Sequence, residues 1–268
     1  MNKIRKIQYG SSSSQFGILS LPEIPGPYPV IVMIHGGFWK MPYDLNGISQ
    51  LCTDLNRRGY AVWNIEYRRV GEPGGGYPGT MTDALDAVNY LNELERNHPL
   101  DLTRTVIMGH SAGGQVALWT GSCMNHNRSE SQNRVESQNQ LEIPILGIIS
   151  MAGVCDLEEM WKLDSLTGPE NHTAELIGGS PDKFPERYQA VSPIALLPLK
   201  VPQILFHGKA DYDVPPQISI AYYQAGLACG DTVSLNLLPH TDHFTFLDPS
   251  SHAWQSVTAS LDQLTKES

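Results

Sequence analysis

The stretch that most constrains this chain runs from Thr105 to Trp119. A short apolar run, Thr105-Val106-Ile107-Met108, leads into Gly109-His110-Ser111-Ala112-Gly113, and Gly114-Gln115-Val116-Ala117-Leu118-Trp119 follows. The first part reads as a strand, the last as a helix, and the G-x-S-x-G between them as the turn. A serine on so sharp a strand-to-helix turn has its hydroxyl pushed out of the backbone. Small neighbours let the strained turn form, and the helix N-terminus behind it favours developing negative charge. With 24 glycines in 268 residues such a motif also arises by chance, so its weight rests on its surroundings.

Those surroundings alternate. Pro29 to His35 is a continuous apolar run, as a parallel strand buried on both faces should be. Ile48 to Arg58 is expected to be helical, with Gly59 as its stop. Tyr60 to Tyr67 reads as the next strand, and Val70 to Thr80, rich in Gly and Pro, as loop. Met81 to Leu94 places Ala84, Leu85, Ala87, Val88 and Leu91 at helical spacing. Further strands are expected over 145–151, 201–207 and 232–238, and further helices over 217–228 and 254–264. This β-then-α order predicts one α/β domain over 1–268, with a mostly parallel central sheet covered by helices on both faces. Two segments break the rhythm. Residues 125–140 are polar and contain an imperfect copy, Glu130-Ser131-Gln132-Asn133 and Glu136-Ser137-Gln138-Asn139, expected to form a flexible insertion. Residues 156–195 are partly apolar and are expected to fold over the strand ends as a small cap.

Several function classes are disfavoured. A formal net charge of −10 argues against nucleic acid and anionic membranes, which need a basic footprint. Lys3, Arg5 and Lys6 are not followed by an apolar run, so no signal peptide is expected, and no stretch approaches the ~18 apolar residues of a membrane span. The four cysteines are far apart without a C-x-x-C pair and read as buried thiols in a reducing cytoplasm. His98, His126, His172 and His252 show no ligand spacing, and neither H-E-x-x-H nor a phosphate-binding glycine motif occurs. No cofactor or metal is therefore expected. The expected partner is a small-molecule ester or amide, and homo-oligomerisation is left open.

Acyl transfer by serine also needs a base, an acid to orient it, and donors for the oxyanion. Asp211 follows the strand ending at His207-Gly208 and is the expected acid. Asp213 is its rival, with capping of the following helix as its alternative role. His243 follows the last strand and is the expected base; His240 competes. His35-Gly36-Gly37-Phe38-Trp39 follows a buried strand, and two glycines there let backbone N–H groups turn toward the site. Gly37 and Phe38, with Ala112, are the expected oxyanion donors; Trp39 and His110 are expected to contact substrate. His35 reads as a loop-holding residue, and Glu66, Arg68 and Arg69 as a local ion-pair network. Asp83 and Asp86 read as capping or solvated helix residues.

With these pieces in place, the chain resembles the α/β-hydrolase serine esterases, in particular the carboxylesterase-like and kynurenine-formamidase-like branch. The resemblance rests on His35-Gly36-Gly37-Phe38-Trp39, Glu66-Tyr67-Arg68, Gly109-His110-Ser111-Ala112-Gly113-Gly114, His207-Gly208 with Asp211 and Val214-Pro215, and His243-Phe244, and spans about residues 28 to 248. It implies the α/β-hydrolase fold and a cofactor-free Ser–His–Asp mechanism, with Ser111 as nucleophile, His243 as base and Asp211 as orienting acid. It is not specific for substrate; the expected activity is cleavage of carboxylic esters with small or medium acyl chains. The aromatic H-G-G-x-W form also resembles arylformamidases, which makes amide deformylation the alternative, and a non-catalytic hydrolase-fold binding protein is the minor one.

Overall fold

Val30 to Ile34 have no solvent exposure, as a strand covered on both faces requires. The computed structural model describes residues 4–124 and 140–266, so the insertion expected at 125–140 lies, apart from Gln140, outside the described residues. In chain order the elements are β1 (Ile4–Gln8), β2 (Phe16–Ser20), β3 (Tyr28–Ile34), α1 (Ser49–Arg57), β4 (Ala61–Ile65), α2 (Gly79–Asn89), α3 (Leu91–Glu95), β5 (Leu100–His110) and α4 (Ala112–Ser122). Then come β6 (Gly147–Met151), α5 (Leu157–Thr167), α6 (His172–Ile177), α7 (Pro185–Val191), β7 (Gln203–Gly208), α8 (Pro216–Ala228), β8 (Val233–Leu238) and α9 (His252–Lys266).

The eight strands form one sheet in the order β1-β2-β4-β3-β5-β6-β7-β8. From β4 to β8 all neighbours are parallel, and β1 and β2 close one edge antiparallel. This is the α/β-hydrolase arrangement. Side chains alternate across the sheet, so β3 feeds two cores. Val30, Val32 and Ile34 pack with Val88 of α2, Val116 of α4 and Tyr222 of α8. Ile31 and Met33 face the other way, toward Leu51 and Leu55 of α1 and Trp254 and Leu261 of α9. The helix expected over 48–58 is α1, and the chain turns out of it at Gly59, whose φ of 99° favours glycine.

Strands β1 and β2 were not expected. β1 is the exposed edge strand and carries Arg5 and Lys6, and β2 buries only Gly17 and Leu19. Gly17 is small because the Trp63 ring of β4 fills the space where its Cβ would stand. The segment 156–195 folds into α5, α6 and α7 between β6 and β7. Asp156 caps α5 by accepting the N–H groups of Glu158 and Glu159, and Asn171 caps α6 by accepting that of Ala174. Among the described residues no helix is long and apolar enough to cross a membrane. Cys52 and Cys155 are buried as expected, whereas Cys229 is exposed.

Candidate active site

Parallel strands all end at the same edge of the sheet, and the expected site residues lie at that edge. Ser111 stands between β5 and α4 with φ 56° and ψ −122°, a strained backbone that aims the side chain outward. Its N–H is held by the Met151 carbonyl at 2.9 Å. The turn is tight because the start of α4 presses against β3. A Cβ on Gly113 would stand 2.2 Å from the Ile34 carbonyl oxygen, so glycine is required there.

The loop after β3 supplies a second strained backbone. Gly37, Phe38 and Trp39 have φ of 103°, 55° and 56° in succession. Two of the three are not glycine, a conformation that costs of order 1 kcal/mol each and needs support. The loop is held by the N–H of Lys40 on the Gly37 carbonyl at 2.9 Å and that of Val70 on the Trp39 carbonyl at 2.7 Å. The Trp39 indole donates to Gln115 Oε1 at 3.0 Å, and the Gln115 amide donates to the Val191 carbonyl at 2.8 Å. Among the described residues, the backbone N–H groups of Gly37, Phe38 and Ala112 donate to no protein acceptor. Unused donors beside a nucleophile are what an oxyanion needs.

Beneath this loop His35 stacks on Tyr67, with ring centroids 4.4 Å apart, and its Nε2 lies 2.8 Å from Glu66 Oε1. The loop-holding role expected of His35 and Glu66 is therefore built. Arg69 pairs with Glu72 at 3.0 Å and Arg68 with Asp83 at 2.6 Å. Asp83 departs from expectation: it is neither a cap nor solvated. Its fully buried carboxylate also accepts the Gln15 amide and the Arg68 N–H, tying the β2 edge to α2.

The residues expected as acid and base, Asp211 and His243, come from the loops after β7 and β8. His243 Nδ1–H donates to Asp211 Oδ2 at 2.7 Å, and both residues are buried. This leaves the other ring nitrogen, Nε2, as the proton acceptor. Asp211 Oδ1 accepts the N–H groups of Asp213 at 3.0 Å and Val214 at 2.9 Å. Burial alone would raise the Asp211 carboxyl, but hydrogen bonds from His207 and His243, and from the Val214 backbone, hold it well below the usual carboxylate range. Asp211 is thus an anion in place to orient an imidazole.

The rivals fall elsewhere. Asp213 is exposed. The capping role weighed for it is not built either, since α8 begins at Pro215-Pro216 without a side-chain cap. His240 is exposed with φ 54° and turns the chain back toward His243. Sequence reasoning passed over His207. It is fully buried, its Nε2 lies 2.8 Å from the Val214 carbonyl and 3.3 Å from Asp211 Oδ2, and its Nδ1 bonds Ser219 Oγ at 2.7 Å. The signal available was a histidine at the carboxyl end of a buried strand, four residues before the acid.

Ser111, His243, Gly37 and Phe38 line one cavity of about 340 Å³, together with His110, Tyr43, Asp44, Phe244 and Leu247. Among the described residues no hydrogen bond joins Ser111 to His243, a contact that tightens in many hydrolases only with substrate bound. His110 lines the cavity, but its Nε2–H is used on the His243 carbonyl at 2.8 Å, with the two rings 4.7 Å apart. Burial, and then the neighbouring His243, push the His110 imidazole down to about 3, so it stays neutral. Trp39, Ala112, Met160, Asp164, His172 and Thr173 border a second, much smaller space on another side of Ser111. Glu170, His172 and Glu175 stand close enough together to share a cation, and the cation among them is the chain's own: Lys40 Nζ lies 2.8 Å from Glu175 and 3.2 Å from Glu170.

A family model described as BD-FAE matches residues 18–225. A probable isoprenylcysteine alpha-carbonyl methylesterase of Arabidopsis thaliana is 27% identical over 253 residues, covering 90% of this chain and 51% of that protein. The chain spans about half the length of the curated relatives it matches. Among solved structures, a bifunctional GH43-CE protein of Bacteroides eggerthii superposes with a TM-score of 0.83 at 22% identity, covering 100% of this chain and 38% of that one. A truncated carbohydrate esterase from gut microbiota superposes with a TM-score of 0.81 at 20% identity, covering 99% and 98%. At such identities the superpositions establish the fold.

Proposed function

The chain belongs to the BD-FAE family, and from that membership and the geometry of its site we propose that it hydrolyses carboxylic esters through an acyl-enzyme on Ser111. The observation that carries this reading is the convergence, on one cavity, of a serine in an elbow, an imidazole bound to a carboxylate, and unused backbone donors. Ser111 Oγ attacks the ester carbonyl and gives its proton to His243 Nε2. Asp211 holds the ring in the tautomer that can accept it and stabilises the imidazolium. The N–H groups of Gly37, Phe38 and Ala112 receive the oxyanion, each worth ~3 kcal/mol in the transition state. His243 then protonates the alkoxide as it leaves. In the second half, His243 takes a proton from water, the hydroxide attacks the acyl-enzyme, and Ser111 recovers its proton. The methylesterase and carbohydrate-esterase names of the similar proteins agree with ester chemistry.

The test is turnover of p-nitrophenyl acetate and of N-formylkynurenine by the wild type and Ser111→Ala. Ester cleavage that falls at least ~10⁴-fold in the variant is expected. Efficient deformylation with weak ester turnover would replace this reading with an amidase. Equal turnover by Ser111→Ala would remove the nucleophile, and with it the mechanism.

A further inference from the structure

Two cavities meet at Ser111, and they share only Ser111 and Phe38 among their lining residues. One is the space of about 340 Å³ that contains His243. The other is a slot of about 10 Å³ walled by Trp39, Ala112, Val154, Met160 and Val214, with His172 at its side. A tetrahedral intermediate on Ser111 carries Oγ, the oxyanion, the leaving oxygen and the acyl substituent. The leaving oxygen must lie beside His243, which protonates it. The alcohol therefore occupies the cavity that His243 lines, and the acyl substituent is directed to the slot that it does not.

We propose that this slot fixes the acyl group at about the size of acetyl, and that Met160 of α5 is the residue that sets the limit. The proposal rests on the hydrolase reading above. A space of ~10 Å³ accepts about one water-sized group, which is the methyl of an acetyl ester. Its walls are firm: Trp39 is anchored on Gln115, and Val154 and Val214 are buried β-branched side chains with few rotamers. Met160 is the one unbranched, adaptable side chain among them, and it comes from α5 rather than from the sheet.

The alcohol side has the opposite character. It is roomy, and Tyr43 and Phe244 on its walls are half exposed. Among the described residues it is lined by no Lys or Arg and by one carboxylate, Asp44, and its His110 stays neutral. A phosphorylated or otherwise anionic alcohol would find no counter-charge there. A neutral alcohol with a flat or bulky body fits.

The experiment varies each side in turn. With p-nitrophenol fixed, the acyl group runs from acetate through propionate and butyrate to hexanoate; with acetate fixed, the alcohol runs from phenol to 1-naphthol. For the wild type, kcat/KM should fall at least ~10-fold from acetate to butyrate, the usual discrimination of a pocket that lacks room for added methylenes. Exchanging phenyl for naphthyl acetate should change it less than ~3-fold. Met160→Ala should raise butyrate relative to acetate at least ~10-fold, and Val214→Ala, at another lining residue, should raise it in the same direction. If Met160→Ala loses its cooperative melting transition, the wild-type series and Val214→Ala still decide. Ser111-dependent turnover that is equal for acetate and hexanoate, or an acyl preference that neither variant moves, would overturn the acyl limit and leave the hydrolase reading standing. Absence of Ser111-dependent turnover would bring down both.

Discussion

The two halves of the candidate site are built by different means. On the nucleophile side the functional groups are aimed by backbone conformation, with side chains such as Trp39 and His35 bracing it: Ser111 at φ 56°, three successive left-handed residues at 37–39, and a glycine at 113 that lets α4 lie against β3. On the acid–base side the loops after β7 and β8 are held by side chains. His243 rests on Asp211, Asp211 on His207 and the Val214 N–H, and the His243 carbonyl on His110. A backbone-built half cannot lose a part without losing its shape, whereas a side-chain-built half can lose a proton acceptor and keep its fold. Damage to the first should therefore appear in stability, and damage to the second in turnover.

The largest expected effect tests the second half. Asp211→Asn preserves size and keeps an oxygen for the Asp213 and Val214 N–H groups, but the amide nitrogen then faces His243 Nδ1 as a donor where the carboxylate accepted a hydrogen bond. The imidazole is then held in the wrong tautomer, and kcat should fall about 10³- to 10⁴-fold at temperatures where the variant is still fully folded. Asp213→Ala, one exposed residue away, should stay within about threefold. A strong loss from Asp213→Ala beside a weak one from Asp211→Asn would exchange their roles.

Gly113→Ala tests the first half. The new Cβ would meet the Ile34 carbonyl at 2.2 Å and the His35 carbonyl at 2.5 Å, both backbone atoms that cannot rotate aside. A destabilisation of about 3 kcal/mol or more is expected from denaturant unfolding, with activity lost in proportion to the unfolded fraction. A variant of full stability and low kcat would contradict the division between the halves.

The same division explains what the sequence could and could not reveal. Steric demands leave residues in order, so the elbow, the His35–Trp39 loop and the doubly buried strands β3 to β7 were readable as glycine patterns and apolar runs. Asp211 and His243 were preferred to Asp213 and His240 from their places after strands, and the fold adds that the first two are buried and the last two exposed. Contacts between distant segments left no local trace. Asp83 looks like any helix aspartate until Arg68 and Gln15 converge on it. Strand β2 is hidden because one of its two inward positions is a glycine yielding to Trp63. His207 had a signal, its place at a strand end, but its partners Ser219 and Val214 lie in the following loop and helix.

The smallest effect concerns pH and separates His110 from its neighbours. Burial lowers the His110 imidazole to about 3, against about 6.5 in an unfolded chain. Between those values the unfolded state binds a proton that the folded state refuses, so stability falls as the solution is acidified, beginning below pH 6.5. At 1.36 kcal/mol per unit the loss from this residue is about 2 kcal/mol between pH 7 and pH 5. Asp211 adds nothing to the slope in that window. Its folded value lies below its unfolded one, so its contribution is complete above about pH 4 and is lost only in stronger acid. His110→Gln keeps an N–H donor for the His243 carbonyl and has no proton to gain. Urea unfolding at pH 7 and pH 5 should therefore show the variant losing about 2 kcal/mol less than the wild type. Parallel losses would mean that the His110 ring is protonated in the folded protein, and that a charge stands within reach of the His243 imidazole.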